Sequence, residues 1–379
     1  MVTLGRKTVF VAMSGGVDSS VTAAILVERG FNVVGITFRL WGKGGDRSCC
    51  SLEAVMDARS VAYKLGIPHY VWNFEDEFLR QVVDVFAKEY ADGLTPNPCL
   101  LCNRYIKFEH FLKRALALGA DYIATGHYAR IAFDDSTGRF KLLRAVDKGK
   151  DQSYALYMLT QDVMRFLLLP IGEMRKEDVR ALARQLGLKV AEKRESQDLC
   201  FAPDDEYQSI VVERYPSAGA RGPLMYVDGS ILGLHRGIAY YTVGQRRGIS
   251  IRSPSGKPLY VVAIDPDTKT VIVGERFCLE VPEAELSEVN LVSGEIPKEP
   301  FKCTVMHRYR SKEATATVSV VKSDDGLSAL VRWDEPQIGV APGQAVVFYN
   351  GDEVLGGGKV MRVRLKNFPR HINIKTILN

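Results

Sequence analysis

Serine hydroxyls and a carboxylate flank two glycines near the start of the chain, in the run Ser14–Ser20 (SGGVDSS). The run follows an apolar stretch, Thr8–Met13, and opens a helical pattern that stops at Gly30. A strand, a glycine turn and a helix start aim backbone N–H groups at an anion, because glycine permits close approach and the first helical amides lack partners. The serine hydroxyls add donors, and the Asp18 carboxylate is available to Mg²⁺. We interpret the run as a phosphate-binding loop.

The loop differs from the commonest nucleoside triphosphate motif. It lacks the lysine of G-x-x-x-x-G-K-[ST], and neither Gly-Lys-Ser nor Gly-Lys-Thr occurs in the chain. The pattern S-G-G-x-D-S resembles instead the pyrophosphate loop of N-type ATP pyrophosphatases. That resemblance implies ATP binding and adenylation of a substrate oxygen with release of pyrophosphate.

Three thiols form the second set of chemically active side chains. Cys99 and Cys102 stand at C-x-x-C spacing in a proline-containing loop before a predicted helix, and Cys200 follows about a hundred residues later. A thiol near a helix start with Arg104 and Lys107 close by is expected to have a depressed pKa. Redox, metal-binding and structural roles remain open for C-x-x-C alone, and no second pair stands at zinc spacing.

The elements that must position these residues alternate between strands and helices over the first 130 residues. This alternation predicts a doubly wound α/β parallel sheet, with ligands beyond the carboxyl ends of its strands. The predicted strands are Thr8–Met13, Asn32–Phe38, Ile67–Asn73 and Asp121–Thr125, and the predicted helices are Ser19–Arg29, Glu53–Leu65, Glu75–Asp92 and Lys107–Leu118.

The rest of the chain predicts a change to β structure. A hairpin, Arg130–Phe133 with Arg139–Arg144, precedes helical segments over about 152–187, and short β-rich runs dominate after Pro203. We expect a linker over 214–223 and a second break near Val281–Glu299. The predicted domains are 1–205, a pyrophosphate-loop domain with a helical segment; 206–282, a β-rich domain; and 283–379, a β-barrel-like domain.

Composition and charge narrow the function classes. The chain is 46% hydrophobic and 25% charged and has no apolar run long enough for a bilayer, so we expect a cytoplasmic protein without membrane contact. A reducing compartment would keep its seven cysteines as thiols. From Phe301 onward there are 12 Lys and Arg against 7 Asp and Glu, and Gly229–Ile264 has five basic residues and no acid. This distribution favours a polyanion partner.

Taken together and in order, the motifs resemble the bacterial tRNA-specific 2-thiouridylase family (MnmA type). The resemblance runs nearly end to end and rests on Ser14–Ser20, Asn97–Asn103, Tyr105–Phe108, Gly126–Arg130, Lys150–Tyr154, Ser196–Phe201, Gly233–Gly248 and Ala341–Gly358. It implies that ATP adenylates the C2 oxygen of the wobble uridine and that sulfur then displaces AMP. It also implies tRNA and a sulfur-donor protein, a cysteine desulfurase or a sulfur relay, as partners.

The resemblance also implies roles for single residues. Cys200 would carry a persulfide, Cys102 would release or resolve it, and Asp18 would act with them in catalysis. The expected ATP-binding residues are Ala12, Met13, Ser14, Gly15, Gly16, Val17, Asp18, Ser19, Phe38 and Gly126. The expected contacts to the target base are Asn97, Pro98 and Cys99, and those to the rest of the tRNA are His127, Lys150, Asp151, Gln152, Arg308, Tyr309 and Gln344.

Cys99 departs from many relatives, which carry Asp at this position. Three thiols, Cys99, Cys102 and Cys200, could therefore hold a 4Fe-4S cluster with one open iron that binds sulfide in place of a persulfide. The alternative is a base-contacting or reserve thiol in a metal-free mechanism, which we favour. Cys49 and Cys50 have no predicted role, and Cys278 and Cys303 are predicted to be core residues.

Two other function classes are open from the residues. A pyrophosphate-loop ligase acting on a small molecule, such as an argininosuccinate or GMP synthetase, would not need the thiols or the basic β regions. A non-catalytic RNA-binding protein would not need the Ser14–Ser20 loop. The sequence does not name the sulfur donor, the set of tRNAs or the oligomeric state.

Overall fold

The computed structural model describes residues 6–41, 52–193, 200–202, 207–249, 251, 256–324, 326–369 and 374–378. Cys49, Cys50 and Ser196–Leu199 of the motifs above lie outside these residues. The strands are β1 (Thr8–Ala12), β2 (Asn32–Arg39), β3 (His69–Asn73), β4 (Tyr122–Ala124), β5 (Ala129–Asp134), β6 (Arg139–Arg144), β7 (Leu167–Leu168), β8 (Gly222–Tyr226), β9 (Ile231–His235), β10 (Tyr260–Asp265), β11 (Thr270–Gly274), β12 (Glu280–Leu291), β13 (Phe301–Met306), β14 (Ala314–Ser323), β15 (Gly326–Ile338), β16 (Ala345–Asn350) and β17 (Glu353–Arg364).

The helices of the described part lie mainly in its first half. The α-helices are α1 (Val17–Glu28), α2 (Leu52–Leu65), α3 (Glu75–Phe78), α4 (Asp84–Ala91), α5 (Pro98–Leu101), α6 (Phe111–Ala117), α7 (Gln161–Met164), α8 (Lys176–Gln185) and α9 (Tyr207–Arg214). π-Helical turns occupy Leu79–Val83 and Cys102–His110. Short 3₁₀ turns occupy Ser153–Leu156, Pro170–Glu173, Lys189–Glu192, Pro216–Gly219, Ile238–Tyr240 and Arg276–Leu279.

A five-stranded parallel sheet forms the first part of the molecule, in the order β3-β2-β1-β4-β7. The sheet confirms the doubly wound prediction, although the two-residue strand β7 was not predicted. Chain order reverses at β1, which pairs with β2 on one side and β4 on the other. Ligands of such sheets bind beyond the carboxyl end of the strand where the order reverses. Here that end is followed directly by Ser14–Ser20.

Both faces of this sheet are covered, as alternation along β1 requires. Phe10 packs into a cluster on one face that includes Phe38 and Trp72. Val9 and Val11 belong to the cluster on the other face, which includes side chains of α1 and α8. The end of β1 is thus fixed from both sides, and so is the loop that follows it.

The helix that carries the C-x-x-C pair begins earlier than the sequence predicted. We expected Lys107–Leu118, with both thiols in the preceding loop, but the helix starts at Pro98 and continues through the π-helical turn into α6. Asn97 caps it by accepting the Cys99 N–H at 3.2 Å, and proline at the first position lacks only an N–H that would have no helical partner. Cys99 and Cys102 are therefore helical residues.

The second half of the molecule is β-rich, as predicted. β8 to β11 form a four-stranded sheet in the order β10-β11-β8-β9. β12 to β17 form a six-stranded barrel, because pairing of β12 with both β15 and β17 closes the sheet. This barrel confirms the predicted fold of the last region.

One predicted element belongs to an unexpected sheet. The hairpin of β5 and β6 forms as expected, but β6 also pairs with β17 of the barrel through Leu143 and Glu353. The first region and the barrel therefore share one eight-stranded sheet.

Two expected breaks contain regular structure. The first half of the Val281–Glu299 segment is β12, because its glutamates alternate with buried Val, Ala and Leu on a half-buried strand. The expected linker 214–223 contains a 3₁₀ turn and the start of β8, and the unpredicted helix α9 precedes it. Within the described ranges, no helix is both long and apolar enough to cross a bilayer.

Candidate active site

The loop between β1 and α1 has the backbone geometry of an anion site. Gly15 has a φ of +71°, and a Cβ there would lie 2.3 Å from the Ala54 carbonyl oxygen, so only glycine fits. Gly16 is the N-cap of α1 and supplies no side-chain oxygen to the first helical amides. These amides face the site at the positive end of the helix dipole.

The serine hydroxyls mainly brace the loop. Ser19 Oγ accepts the Ser14 N–H at 3.2 Å, and both Ser19 and Ser20 lie within hydrogen-bond distance of the Gly16 carbonyl, at 3.2 and 2.8 Å. Ser20 is fully buried. The expectation that all three hydroxyls donate to an anion is therefore wrong for Ser20, whereas Ser14 is exposed.

Asp18 is held by two residues that the sequence analysis did not select. Lys176 Nζ lies 2.8 Å from each carboxylate oxygen, and Tyr128 Oη donates to Oδ1 at 2.8 Å. Lys176 is the first residue of α8, 158 positions from Asp18, and is 7% exposed. No sequence motif could have found it, because lysines are common in helices and nothing local marks this one.

The other predicted ATP-binding residues fall into two groups. Gly126 lies against the loop, since a Cβ there would be 2.8 Å from the Ser19 amide nitrogen. Phe38 is 9% exposed and packs edge-on against Phe111 with ring centroids 4.9 Å apart. Ala12 is the last residue of β1, and Met13 and Val17 are buried. These three apolar residues can therefore offer a nucleotide only their backbone groups, while their side chains pack the loop against the core.

His127, next to Gly126, connects the loop to the thiol-bearing helix. Its Nδ1 lies 2.7 Å from Thr125 Oγ1, and its Nε2 lies 3.4 Å from Lys107 Nζ. A lysine ammonium can only donate, so Nε2 must be the unprotonated nitrogen and Nδ1 carries the proton. Burial, assisted by the Lys107 charge, holds the pKa of His127 well below its ordinary value. The ring is neutral and buried, which does not suit the direct tRNA contact that we expected.

Cys102 and Cys200 both contact the large hydrophobic cluster that runs from the parallel sheet into the β-rich region. Cys102 begins the π-helical turn and is 8% exposed, and half-buried Cys200 packs at the edge of the same cluster. Its neighbour Phe201 is anchored between Phe78 and Phe86, with ring centroids 5.8 and 5.3 Å away.

Cys99 differs from these two thiols in being exposed at the helix start. Pro98 beside it is buried, and Asn97 serves as the helix cap. Among the described residues, which include all three thiols, no three His, Cys, Asp or Glu side chains are grouped as a metal site requires. Cys278 and Cys303 are core residues as predicted, and burial raises the pKa of Cys303 to about 12.

Residues predicted to contact tRNA from two distant segments meet on one edge of the molecule. Arg310 Nη2 donates to the Gly149 carbonyl at 3.1 Å, which joins the 147–152 loop to the loop after β13. Arg308 and Tyr309 are exposed there, and Lys150 lies in the adjoining loop. These side chains could bind one stretch of RNA together.

Three other predicted tRNA contacts have internal partners. The Asp151 carboxylate accepts the Ala145 N–H and the Ser153 hydroxyl, at 2.9 and 2.8 Å. Gln152 Oε1 accepts the Tyr128 N–H at 2.9 Å. Gln344 Nε2 donates to the Thr95 carbonyl at 2.7 Å and so ties the barrel to the segment before Asn97. These three side chains therefore hold neighbouring segments of the protein together.

Similarity to known proteins agrees with this arrangement. Three family models match in order: "tRNA methyl transferase HUP domain" over residues 7–204, "tRNA methyl transferase PRC-barrel domain" over 209–275 and "Aminomethyltransferase beta-barrel domain" over 282–360. The tRNA-specific 2-thiouridylase MnmA of Carboxydothermus hydrogenoformans is 50% identical over 364 residues, 94% of this chain and 98% of the relative. The chain belongs to the tRNA-specific 2-thiouridylase family.

Further members of that family match over the same span. The protein of that name from Heliobacterium modesticaldum is 47% identical over 94% of this chain and 93% of its own. The one from Acetivibrio thermocellus is 47% identical over 94% and 99%. Similarity thus extends over the loop domain, the four-stranded sheet and the barrel, and confirms the family that the motifs indicated.

Proposed function

We propose that this protein is an ATP-dependent tRNA 2-thiouridylase that acts on the wobble uridine. The observation that carries the proposal is the joining of the anion loop to the thiol-bearing helix through Gly126, His127 and Lys107. Phosphate binding and sulfur chemistry are needed at one carbon atom, and this connection supports a single site for the two sets of groups.

The first step activates the uridine. The C2 oxygen attacks the α-phosphorus of ATP, a C2–O–P linkage forms, and the bond from the α-phosphorus to the bridging oxygen breaks as pyrophosphate leaves. Loop amides at the start of α1 receive the phosphate charge. Activation is necessary because a carbonyl oxygen is otherwise a poor leaving group.

The second step replaces oxygen by sulfur. A persulfide on Cys200 donates an electron pair from its terminal sulfur to C2, and AMP departs with the electrons of the C2–O bond. Attack of the Cys102 thiolate on the Cys200 sulfur then breaks the S–S bond and leaves 2-thiouridine and a Cys102–Cys200 disulfide. An external thiol reductant restores both thiols.

Mg²⁺ and the iron–sulfur alternative fit the residues differently. Asp18 is a single loop carboxylate, and Mg²⁺ typically uses one or two carboxylates together with substrate phosphates, so Asp18 would hold the ion with ATP and supply charge neutralisation. For a 4Fe-4S cluster the placement of the three thiols does not fit, since Cys99 is exposed, Cys102 is buried and no described group of three forms. We derive no step through a cluster.

Partners and domain roles complete the proposal. A cysteine desulfurase or sulfur relay delivers the persulfide sulfur in the cytoplasm, and the exposed Arg308 and Tyr309 bind the tRNA. We divide the chain at 1–205, 206–282 and 283–379, with adenylation and sulfur transfer in the first unit.

The reaction is tested with purified protein, ATP, tRNA and a persulfide donor. We expect 2-thiouridine in digested tRNA by mass spectrometry, and ATP–pyrophosphate exchange that depends on tRNA. Exchange with a small acceptor in place of tRNA would indicate a small-molecule ligase, and RNA binding without exchange would indicate a non-catalytic protein. Two of the matching family models are named after tRNA methyl transferases. Supplying S-adenosylmethionine instead of ATP tests for methyl transfer.

Serine substitutions separate the two steps. Cys102→Ser and Cys200→Ser should each retain tRNA-dependent exchange and lose 2-thiouridine formation by at least about 100-fold, because the nucleophile of the second step is gone. Cys303→Ser is the matched control, since that thiol is buried in the barrel, and it should keep both activities if it folds.

Cys99→Ser distinguishes the sulfur mechanisms. In aerobic protein supplied with a persulfide donor it should retain substantial thiolation. Loss of thiolation in a folded, exchange-competent Cys99→Ser protein, together with a requirement for iron and the absence of oxygen, would overturn the metal-free mechanism.

A further inference from the structure

Lys176 is a buried cation at the nucleotide loop that neither step above uses. Its ammonium lies 2.8 Å from both oxygens of Asp18, and its side chain is only 9% exposed. A lysine loses much hydration at such a site, so it is retained only where a charged partner compensates. Asp18 is that partner.

The placement of Lys176 is fixed by elements other than the loop. Its backbone N–H donates to Asp147 Oδ2 at 3.0 Å at the start of α8, and its ammonium lies 5.6 Å from the centre of the Tyr128 ring. Tyr128 Oη holds the same Asp18 oxygen. Three separate segments therefore converge to keep one ammonium beside the loop.

We propose that Lys176 is the phosphate-binding cation of the nucleotide site, the charge that phosphate loops of the G-x-x-x-x-G-K-[ST] type carry within the loop itself. When ATP binds, the ammonium is shared between Asp18 and the β- and γ-phosphates. As the α-phosphorus accepts the uridine oxygen and its bond to the pyrophosphate oxygen breaks, Lys176 stabilises the charge that accumulates on the leaving pyrophosphate. No proton is transferred. This inference rests on the proposed function for the identity of the acceptor, but not for the binding of ATP.

The competing explanation is that the pair only shapes the loop, and a double-mutant cycle separates the two. Lys176→Met and Asp18→Asn are made singly and together, so that the double variant contains neither charge. Because Asp18→Asn also removes the carboxylate that would hold Mg²⁺, the double variant is compared with Asp18→Asn. A phosphate-binding Lys176 predicts that Lys176→Met loses about 100-fold in kcat/KM for ATP in pyrophosphate exchange relative to wild type, that the double variant loses a similar factor relative to Asp18→Asn, and that Lys176→Arg is partly active. A double variant as active as Asp18→Asn would overturn the proposal.

Matched controls exclude loss of folding. Lys359→Met also breaks a lysine–carboxylate pair, between half-buried Lys359 of β17 and Glu89 of α4, and it should lower the melting temperature while leaving ATP affinity unchanged. ATP affinity is also measured directly by calorimetry without tRNA, where Lys176→Met should bind at least 10-fold more weakly. Equal ATP affinity of wild type and Lys176→Met would contradict the inference. Failure of the wild type to make 2-thiouridine, with Lys176-dependent ATP binding intact, would contradict only the proposed function.

Discussion

At the scale of single residues, the hydrogen bonds of His127 determine its protonation. The Lys107 ammonium can only donate to Nε2, so the imidazole proton resides on Nδ1 and is donated to Thr125 Oγ1. The ring is thereby a neutral acceptor that holds a cation, rather than a cation itself. Lys107 in turn lies on the π-helical turn that begins at Cys102, a type of turn that often occurs at functional sites.

We expect His127 to stay neutral across the pH range of activity. Its pKa in the folded protein lies well below the ordinary value because burial and Lys107 disfavour the charged ring. The unfolded chain therefore binds a proton more readily, so the contribution of His127 to stability is present above about pH 6.5 and is lost as the pH falls. In ¹⁵N-histidine spectra, its Nδ1 should be protonated and its Nε2 bare at pH 7.

Lys107→Met provides the check on that assignment. Removing the Lys107 charge should raise the pKa of His127, because one of the two causes of its depression is gone, while burial remains. The resonance is assigned by its loss in His127→Gln. A His127 that titrates near pH 6.5 in the wild type, or carries its proton on Nε2, would refute the hydrogen-bond assignment.

At the scale of elements, the barrel positions the start of the thiol-bearing helix. Thr95 lies two residues before Asn97, its N–H donates to the Pro342 carbonyl at 2.8 Å, and its carbonyl accepts Gln344 Nε2 at 2.7 Å. Both backbone groups of Thr95 are thus bonded to the connection between β15 and β16. Gly343 within this connection permits the close approach, with a φ of +92°.

Gly343→Ala should therefore impair sulfur transfer. A Cβ at this position would lie 2.8 Å from the Thr95 nitrogen, so the helix start must shift. Small displacements of reacting groups cost on the order of 10- to 100-fold in rate, and we expect that loss in thiolation, with the KM for ATP unchanged.

Gly339→Ala is the matched control for this substitution. It lies in the same connection, has a φ of +75° and has nothing within 4 Å of the added Cβ. Alanine in a left-handed conformation lowers the free energy of unfolding of both variants by about 1–2 kcal/mol, but only the added Cβ of Gly343→Ala collides with the helix start. Equal thiolation rates in the two folded variants would show that the barrel contact does not position Cys102.

The sequence predicted the elements whose signals are local. The alternation of strand and helix patterns predicted the parallel sheet, and the glycines of Ser14–Ser20 predicted the loop, because periodicity and turn preferences depend on only a few neighbouring residues. The start of the helix at Pro98 was missed although Asn97-Pro98 is a typical helix N-terminus, because the C-x-x-C segment was interpreted as a loop. β12 was missed because its glutamates were interpreted as a break.

Lys176 and the Gln344–Thr95 bond lay beyond any local pattern. Each joins residues more than 150 positions apart, so only the folded chain reveals the pairing. The same is true of the pairing of β6 with β17, which connects the first region to the barrel. Each of these strands already has a neighbour close in sequence, β5 and β16, so nothing in the sequence indicates a second partner.

At the scale of the whole molecule, the shared sheet determines how RNA binding should be tested. Deleting the chain after about residue 220 would remove β17 from the edge of β6 and uncover Leu142, which is fully buried. Any loss of tRNA binding would then report unfolding as well as lost charge. Single charge substitutions on the edge formed by the 147–152 loop and the loop after β13 avoid this problem.

Arg308→Gln should weaken tRNA binding and make it less dependent on salt. Arg308 is exposed on that edge, and each lost phosphate contact reduces the slope of log affinity against log salt by about 1. Lys322→Gln removes the same charge from the far end of β14, eight residues or about 26 Å along the strand from Ala314, well beyond the Debye length in physiological salt. Its slope should match that of the wild type. Filter-binding titrations of tRNA at several salt concentrations measure both, and an unchanged slope in Arg308→Gln would remove this edge from the tRNA-binding surface.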